Sequence, residues 1–439
     1  MRGGAPVRPC SRSIRAQREA PRPARLSRRA QRVVGTAGLR LQADRDRREI
    51  RHVLAARALR AVADGYVAVL LPAYLLLLGQ PAWAVGVLST ATLLGSALAT
   101  IALGAWGHHW PPQRLLAAAA LLMAATGVAF SSLSAFWPLF VIAFVGTLNP
   151  SAGDVSVFLP LEHARLSALA DGEQRTRLFA RYTIVGSLAA ASGALLAGVP
   201  GWLSAHTAVD RLTALRGMFV LYGVVGLIVW RLYAGLSREA SRLPAPSAPL
   251  GPSRPVVVRL ALLFSVDAFA GGLVVNALLA LWLATRFGVT TAQAGAFFFW
   301  AGLLTTASQW LAPKLAARIG LLNTMVFTHI PANLCLIGAA FAPSLPVAIG
   351  LLFVRSALSQ MDVPTRSAFV MAIVTPPERT AAASFTAVPR SLAAALSPAL
   401  GGALFAAGAI AAPLALCGVL KIGYDLALWR AFRRQATAV

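Results

Sequence analysis

Hydrophobic residues in this chain come in long blocks, and polar residues gather between the blocks. Neither the alternation of a strand nor the one-sided stripe of a surface helix describes that pattern. With a window near 19 residues, the blocks predict helical spans at about 59–79, 83–105, 114–132, 136–159, 178–199 and 217–235. A second set follows at about 258–284, 292–313, 321–341, 345–370, 380–406 and 411–430. Blocks of this length cross a bilayer as helices, so the expected fold class is an all-α polytopic membrane protein with 12 transmembrane helices. The stretch "LSREASRLPAPSAPLGPSRPVVVR" between the sets is rich in Pro, Ser and Arg and reads as an exposed linker. The expected organisation is a basic, irregular tail over 1–55, a first bundle over 56–236, a cytoplasmic linker over 237–257 and a second bundle over 258–434.

Composition agrees with this reading: 57% of the residues are hydrophobic and 13% charged, against about 25% charged in soluble domains. The net charge of +25 resembles a nucleic-acid signal until it is divided, because residues 1–60 hold 17 Arg and 4 acids and carry +13 of it. That tail has neither aromatics to stack on bases nor the apolar core of a secretory signal. It reads as a disordered cytoplasmic arm drawn to anionic lipid, as an organellar presequence, or as an over-extended gene start. Under the last reading, residues 1–50 are dispensable for insertion and activity. Cys10, Cys335 and Cys417 are odd in number and widely spaced, so free thiols are expected. Placing both termini in the cytoplasm puts 14 Lys or Arg on that side against 3 on the other. The positive-inside rule therefore predicts a multi-pass protein of the cell inner membrane with both termini cytoplasmic.

The two sets are related in sequence. "DGYVAVLLPAYLLLL" from Asp64 aligns with "DAFAGGLVVNALLAL" from Asp267 at an offset of 203, and "GDVSVF" at Asp154 aligns with "MDVPTR" at Asp362 at an offset of 208. "RTRLFARYTIVGSLAAASGALLAG" from Arg175 matches "RTAAASFTAVPRSLAAALSPALGG" from Arg379 at an offset of 204. Near-equal offsets at three places predict a duplication of six helices. This plan, the long linker and the loop "GAWGHHWPPQR" resemble the major facilitator superfamily over residues 55–434. Gly104 and Arg114 stand where that family's gating loop has a glycine and a terminal base, while His108 and His109 replace its acid and base. The resemblance implies two six-helix repeats around a central cavity, with alternating access by rocking of one bundle against the other.

Charges inside the spans are the candidate chemistry. Arg355, Ser359, Asp362 and Arg366 are spaced so that one continuous helix would hold them within about 40° of one face. Each charge at that depth costs about 2.5–3.5 kcal/mol on insertion scales, so such a face must look onto water or opposite charge. Asp64, Asp267 and Arg390 also lie within spans, and Asp154 and Arg181 lie near the cytoplasmic boundary. An aspartate whose arginine partner leaves in one conformation can bind and release a proton. Asp267, Asp362, Asp64 and Asp154 are therefore the proton-coupling candidates. Arg355, Arg390, Arg181 and Arg366 are the charge-partner or substrate-binding candidates. The plainer reading of Asp64, Asp154 and Arg181 is that they fasten helix ends, and Lys421 and Asp425 read as a local pair four residues apart.

The chain contains no G-x-x-x-x-G-K-[ST] loop to cradle phosphates, and no interfacial cluster of His, Asp and nucleophile that an enzyme would need. No enzyme activity, cofactor or metal is expected; His108 and His109 have no other His or Cys at metal spacing. The expected function is secondary active transport of a small organic solute, coupled to protons, with efflux as one direction. The alternative is a transport-inactive sensor or scaffold on the same fold. The mid-depth arginines favour an anionic substrate, whereas Phe297, Phe298, Phe299 and Trp300 favour a hydrophobic one. The expected partners are that solute and the lipid bilayer, with no nucleic acid, and the chain is expected to be a monomer.

Overall fold

The computed structural model describes residues 28–151, 156–170, 172–237, 250–375 and 378–436. Among these the long elements are all α-helices: α1 (Arg28–Leu77), α2 (Ala82–Trp106), α3 (Pro112–Ser132), α4 (Phe136–Val145), α5 (Phe158–Ala168), α6 (Gly172–Leu195), α7 (Val199–His206) and α8 (Arg211–Ala234). After the linker come α9 (Arg254–Gly272), α10 (Asn276–Phe287), α11 (Thr291–Ile319), α12 (Leu321–Ala340), α13 (Leu345–Leu358), α14 (Asp362–Ile373), α15 (Arg379–Ala406) and α16 (Ala412–Ala436). Among the described residues, nine stretches are long and apolar enough to cross a membrane. Local chemistry sets several starts. Asp210 caps α8 by accepting from Thr213 N at 3.0 Å, and α11 opens on a capping box between Thr290 and Gln293.

Three expected spans are broken. The block at 136–159 ends as helix at Val145 and resumes at Phe158, because Gly146 is extended and Pro150 has no N–H to give. Other helices satisfy the freed backbone, as the bilayer requires: Tyr222 Oη donates to Thr147 O at 2.9 Å, and Ala277 N donates to Pro150 O at 3.1 Å. The block at 258–284 breaks between Gly272 and Asn276, and the block at 345–370 breaks between Leu358 and Asp362. The charged positions from Arg355 to Arg366 are thus divided between α13 and α14 and do not share one helix face.

At the N-terminal end, α1 begins at Arg28 in place of the irregular arm expected as far as residue 55. From Glu49 onward the helix belongs to the body of the protein. Val53 and Ala56 are fully buried, and Glu49 is paired with Arg165 on α5 at 2.5 Å. The expected dispensable segment of 1–50 therefore includes one residue that holds the body together.

The surface is apolar where a soluble protein's would be charged. Val128, Val141, Leu262, Phe327, Leu334 and Val419 are all more than half exposed, a pattern that suits lipid. Several exposed tryptophans stand near helix ends, Trp137 and Trp202 on α4 and α7 and Trp106 and Trp110 around the loop after α2, where indoles favour the interface.

Small residues join the helices before the linker to those after it. α2 packs on α15 and α6 packs on α11. A Cβ on Gly86 of α2 would lie 2.3 Å from the Pro398 carbonyl and 2.8 Å from Gly402 Cα, and one on Gly295 of α11 would lie 2.3 Å from the Ala194 carbonyl. Ala399 N also donates to Thr90 Oγ1 at 2.9 Å. Close backbone approach of this kind is how helices associate where lipid removes the hydrophobic drive. Replacing Gly86 by Ala overpacks the seam by about 1–3 kcal/mol, and should lower the thermal unfolding midpoint in detergent. Gly104→Ala, with open space around its Cα, should leave that midpoint unchanged.

Candidate functional site

Two buried charge clusters occupy the interior, one in each set of helices. In the second set, Asp267 on α9 accepts from Lys421 Nζ of α16 at 2.5 Å and faces Arg366 Nη2 of α14 at 3.3 Å. The other partner of Arg366 is Asp362, one turn back on α14, and its guanidinium lies 5.4 Å from the centroid of the Phe264 ring. One turn along α16 from Lys421, both carboxylate oxygens of Asp425 lie 3.0 Å from Nδ1 of His329 on α12. All of these side chains are buried, Asp425 most of all at 1% exposure. An apolar shell of Val257, Leu260, Leu322, Met325, Phe369 and Leu428 packs beside them, which leaves each charge dependent on its partner.

The first set builds its cluster around Glu162 on α5. Arg60 on α1 donates to that carboxylate, as do Tyr182 Oη of α6 at 2.5 Å and Tyr233 Oη of α8 at 2.6 Å. The Arg60 guanidinium also lies 3.9 Å from the centroid of the Phe158 ring. Nearby, Arg165 on α5 bonds Glu49 and the Ser237 carbonyl, the latter at 3.0 Å. The clusters correspond in placement: Arg60 and Tyr233 stand on the first and sixth hydrophobic blocks of one set and Glu162 on α5 just after the fourth, as Asp267, Lys421 and Arg366 stand on the first, sixth and fourth blocks of the other. The signs are exchanged, since a cation on α1 meets an acid on α5 whereas an acid on α9 meets a cation on α14.

The candidates from the sequence separate on this map. Asp267, Asp362 and Arg366 come together. Arg355 does not join them; it is in the last turn of α13 and makes no hydrogen bond or ion pair among the described residues. Asp64 is buried one turn beyond Arg60 and has no hydrogen-bond partner among the described residues. Arg181 is exposed on α6, Arg390 is half-buried on α15, and Asp154 lies outside the described residues. Gly104 and Arg114 flank an exposed loop. Lys421 and Asp425 do not form the local pair expected from their spacing, because each points to a different helix. Glu162, Arg60, Tyr182, Tyr233 and His329 were missed. The one available signal was the i, i+4 spacing of Arg60 and Asp64; nothing in the sequence marks His329 as opposite Asp425.

A sequence model of the Major Facilitator Superfamily matches residues 53–361, well over half of the chain. The chain belongs to the major facilitator superfamily. The uncharacterized membrane protein YJR124C of Saccharomyces cerevisiae is 22% identical to this facilitator, with 81% of this chain and 88% of the yeast protein covered. Among solved structures, the nucleoside transporter NupG superposes with a TM-score of 0.65 at 14% identity, covering 88% of this chain and 98% of its own. An inward-facing bacterial homolog of the human lysosomal transporter Spinster gives 0.62 at 15%, covering 88% and 95%. The human organic anion transporter MFSD10 gives 0.61 at 15%, covering 87% and 99%. The family and these neighbours make the facilitator a multi-pass membrane protein that transports a solute.

Outside the spans, Glu378 ties the linker's end to the loop before α15. It accepts from the backbone N–H of Gly251, from Ser253 N at 3.1 Å and from Thr375 Oγ1 at 2.8 Å. The Ser253 hydrogen bond, followed by those from Thr375 and Gly251, holds its carboxyl below the usual range. A lowered carboxyl stabilises the fold above its ordinary titration and loses that contribution as pH falls through the folded value. The protection of the Gly251 and Ser253 amides, taken relative to their intrinsic exchange rates at each pH, should therefore fall between about pH 5 and pH 3, and Glu378→Gln should lower it at neutral pH. Within the spans, Arg366→Ala strands Asp362 and leaves Asp267 with Lys421 alone, and should cost about 3–5 kcal/mol of stability, read as loss of folded protein by size-exclusion chromatography. Arg181→Ala should leave the folded fraction unchanged.

Proposed function

We propose that this facilitator is a secondary active transporter of a small organic solute, coupled to protons and working by alternating access. The observation that carries this reading is the division of labour between contacts. Each charge cluster stays within one set of helices, while the sets meet through the small residues of α2 with α15 and of α6 with α11. Internally tied bodies joined by smooth seams can rock against each other without breaking buried ion pairs. In this reading the paired helices count as single spans, α4 with α5, α6 with α7, α9 with α10 and α13 with α14, giving 12 spans in two six-helix repeats around a central cavity. Residues 56–236 and 258–434 are the repeats, joined by the linker at 237–257, and both termini are cytoplasmic.

The seams use the start of α2, the end of α6, the start of α11 and the end of α15, all at the end opposite the termini. That supports a conformation closed on that side and open toward the termini. Asp64 is buried without a hydrogen-bond partner among the described residues and is the coupling candidate of the first repeat. Arg390 is the substrate-facing candidate of the second. Solved relatives of this fold include a nucleoside transporter and an organic anion transporter, so the substrate class proposed is no narrower than a small organic solute, and export is the direction tested first. An efflux-deficient bacterial host carrying the wild type should change its sensitivity to at least one compound in a panel of toxic solutes and antimetabolites. Asp64→Asn and Arg390→Ala at equal membrane levels should abolish that change. An unchanged shift in both variants would overturn their assigned roles. No shift for the wild type across the panel would favour a transport-inactive sensor or scaffold.

A further inference from the structure

The cluster of the second set is unbalanced. Three carboxylates, Asp267, Asp362 and Asp425, meet two permanent cations, Lys421 and Arg366. Those cations are committed to Asp267 and Asp362, and the partner left for Asp425 is His329. An isolated carboxylate buried to 1% exposure is strongly disfavoured. An imidazole can carry a proton on both ring nitrogens, and Nδ1 of His329 faces both oxygens of that carboxylate at 3.0 Å.

We propose that the His329–Asp425 pair binds the coupling proton of this transporter. This rests on the proton-coupled reading above. In the conformation described, His329 is imidazolium, both ring nitrogens are protonated, and Nδ1–H donates to the Asp425 carboxylate. The proton is taken from water and returned to water, and no other bond is made or broken. Asp267 and Asp362 keep their negative charge throughout, because protonating either would forfeit a pair with Lys421 or Arg366.

The other charged and titratable groups around His329 are accounted for helix by helix. α16 presents Asp425, Lys421 and the Tyr424 ring, whose centroid is 6.4 Å from the imidazole's. α9 brings Asp267, and α14 brings Asp362 and Arg366. α13 has Arg355, in the last turn of that helix. α11 carries Lys314 and Arg318 near its end, with Lys314 Nζ engaged 3.8 Å from the centroid of the Trp310 ring. His329 is the one titratable group of α12 itself apart from Cys335.

The test is a nitrogen and carbon NMR spectrum of the full chain in lipid nanodiscs with labelled histidine and no substrate. The chain has six histidines, and His329→Gln identifies the resonance in question by its loss. At pH 7 the wild type should show an imidazolium pattern for His329. Asp425→Asn should convert it to a neutral tautomer, and Asp425→Glu should restore the charge. Asp267→Asn, which leaves two carboxylates against two cations, should also neutralise His329. A neutral His329 in the wild type overturns the proposal without recourse to any variant. An imidazolium that survives Asp425→Asn overturns it as well. Because the spectrum is read without transport, an imidazolium in a protein that moves no solute would sink the transport reading and leave the protonation site standing; a transporter with a neutral His329 would do the reverse.

Discussion

The pairing of Asp267 with Lys421 and Arg366 is the constraint around which the second set is arranged. One carboxylate draws α9, α14 and α16 to a common point inside an apolar bundle, where no water can substitute for a missing partner. Arg366 in turn fixes Asp362 at the start of α14, and the next turn of α16 brings Asp425 to His329 on α12. Four helices are thereby held in register by a handful of polar atoms, with Phe264, Phe369 and Leu428 closing the apolar shell around them.

The first set solves the same problem with one carboxylate and three donors. Glu162 gathers Arg60, Tyr182 and Tyr233 from α1, α6 and α8. Phenols carry no formal charge, so this cluster has less to gain or lose by moving a proton than the cluster of the second set. The two halves thus share placement and differ in electrostatic character. That asymmetry leaves an excess of carboxylates in the cluster of the second set and a single fastened carboxylate in the cluster of the first. Between the halves, Gly86, Gly402 and Gly295 allow close backbone contact. Such contacts tolerate sliding better than a buried salt bridge tolerates stretching, because dispersion is spread over many atoms whereas a charge pair concentrates its energy in one distance.

The sequence by itself determined the class of structure. Long apolar blocks can satisfy their backbone in lipid only as helices, so α2, α3, α8 and α12 fall where hydrophobicity alone places them. It also identified the family on the gating-loop remnants Gly104 and Arg114 and on the repeat. It marked Asp267, Asp362 and Arg366 as expensive inside a membrane, and all three lie in the cluster. What it could not supply was partnership. Lys421 and Asp425 are four residues apart and read as each other's partners, yet α9 and α12 offer each a closer one. The tertiary structure alone decided that Arg355 stands apart from the pairs of Arg366, with the helix broken between Leu358 and Asp362. It alone brought Glu162 to Arg60 across 102 residues of chain. Burial cost is a property of one residue at one depth and is legible in sequence; ion pairing depends on which helices touch, and only packing settles that.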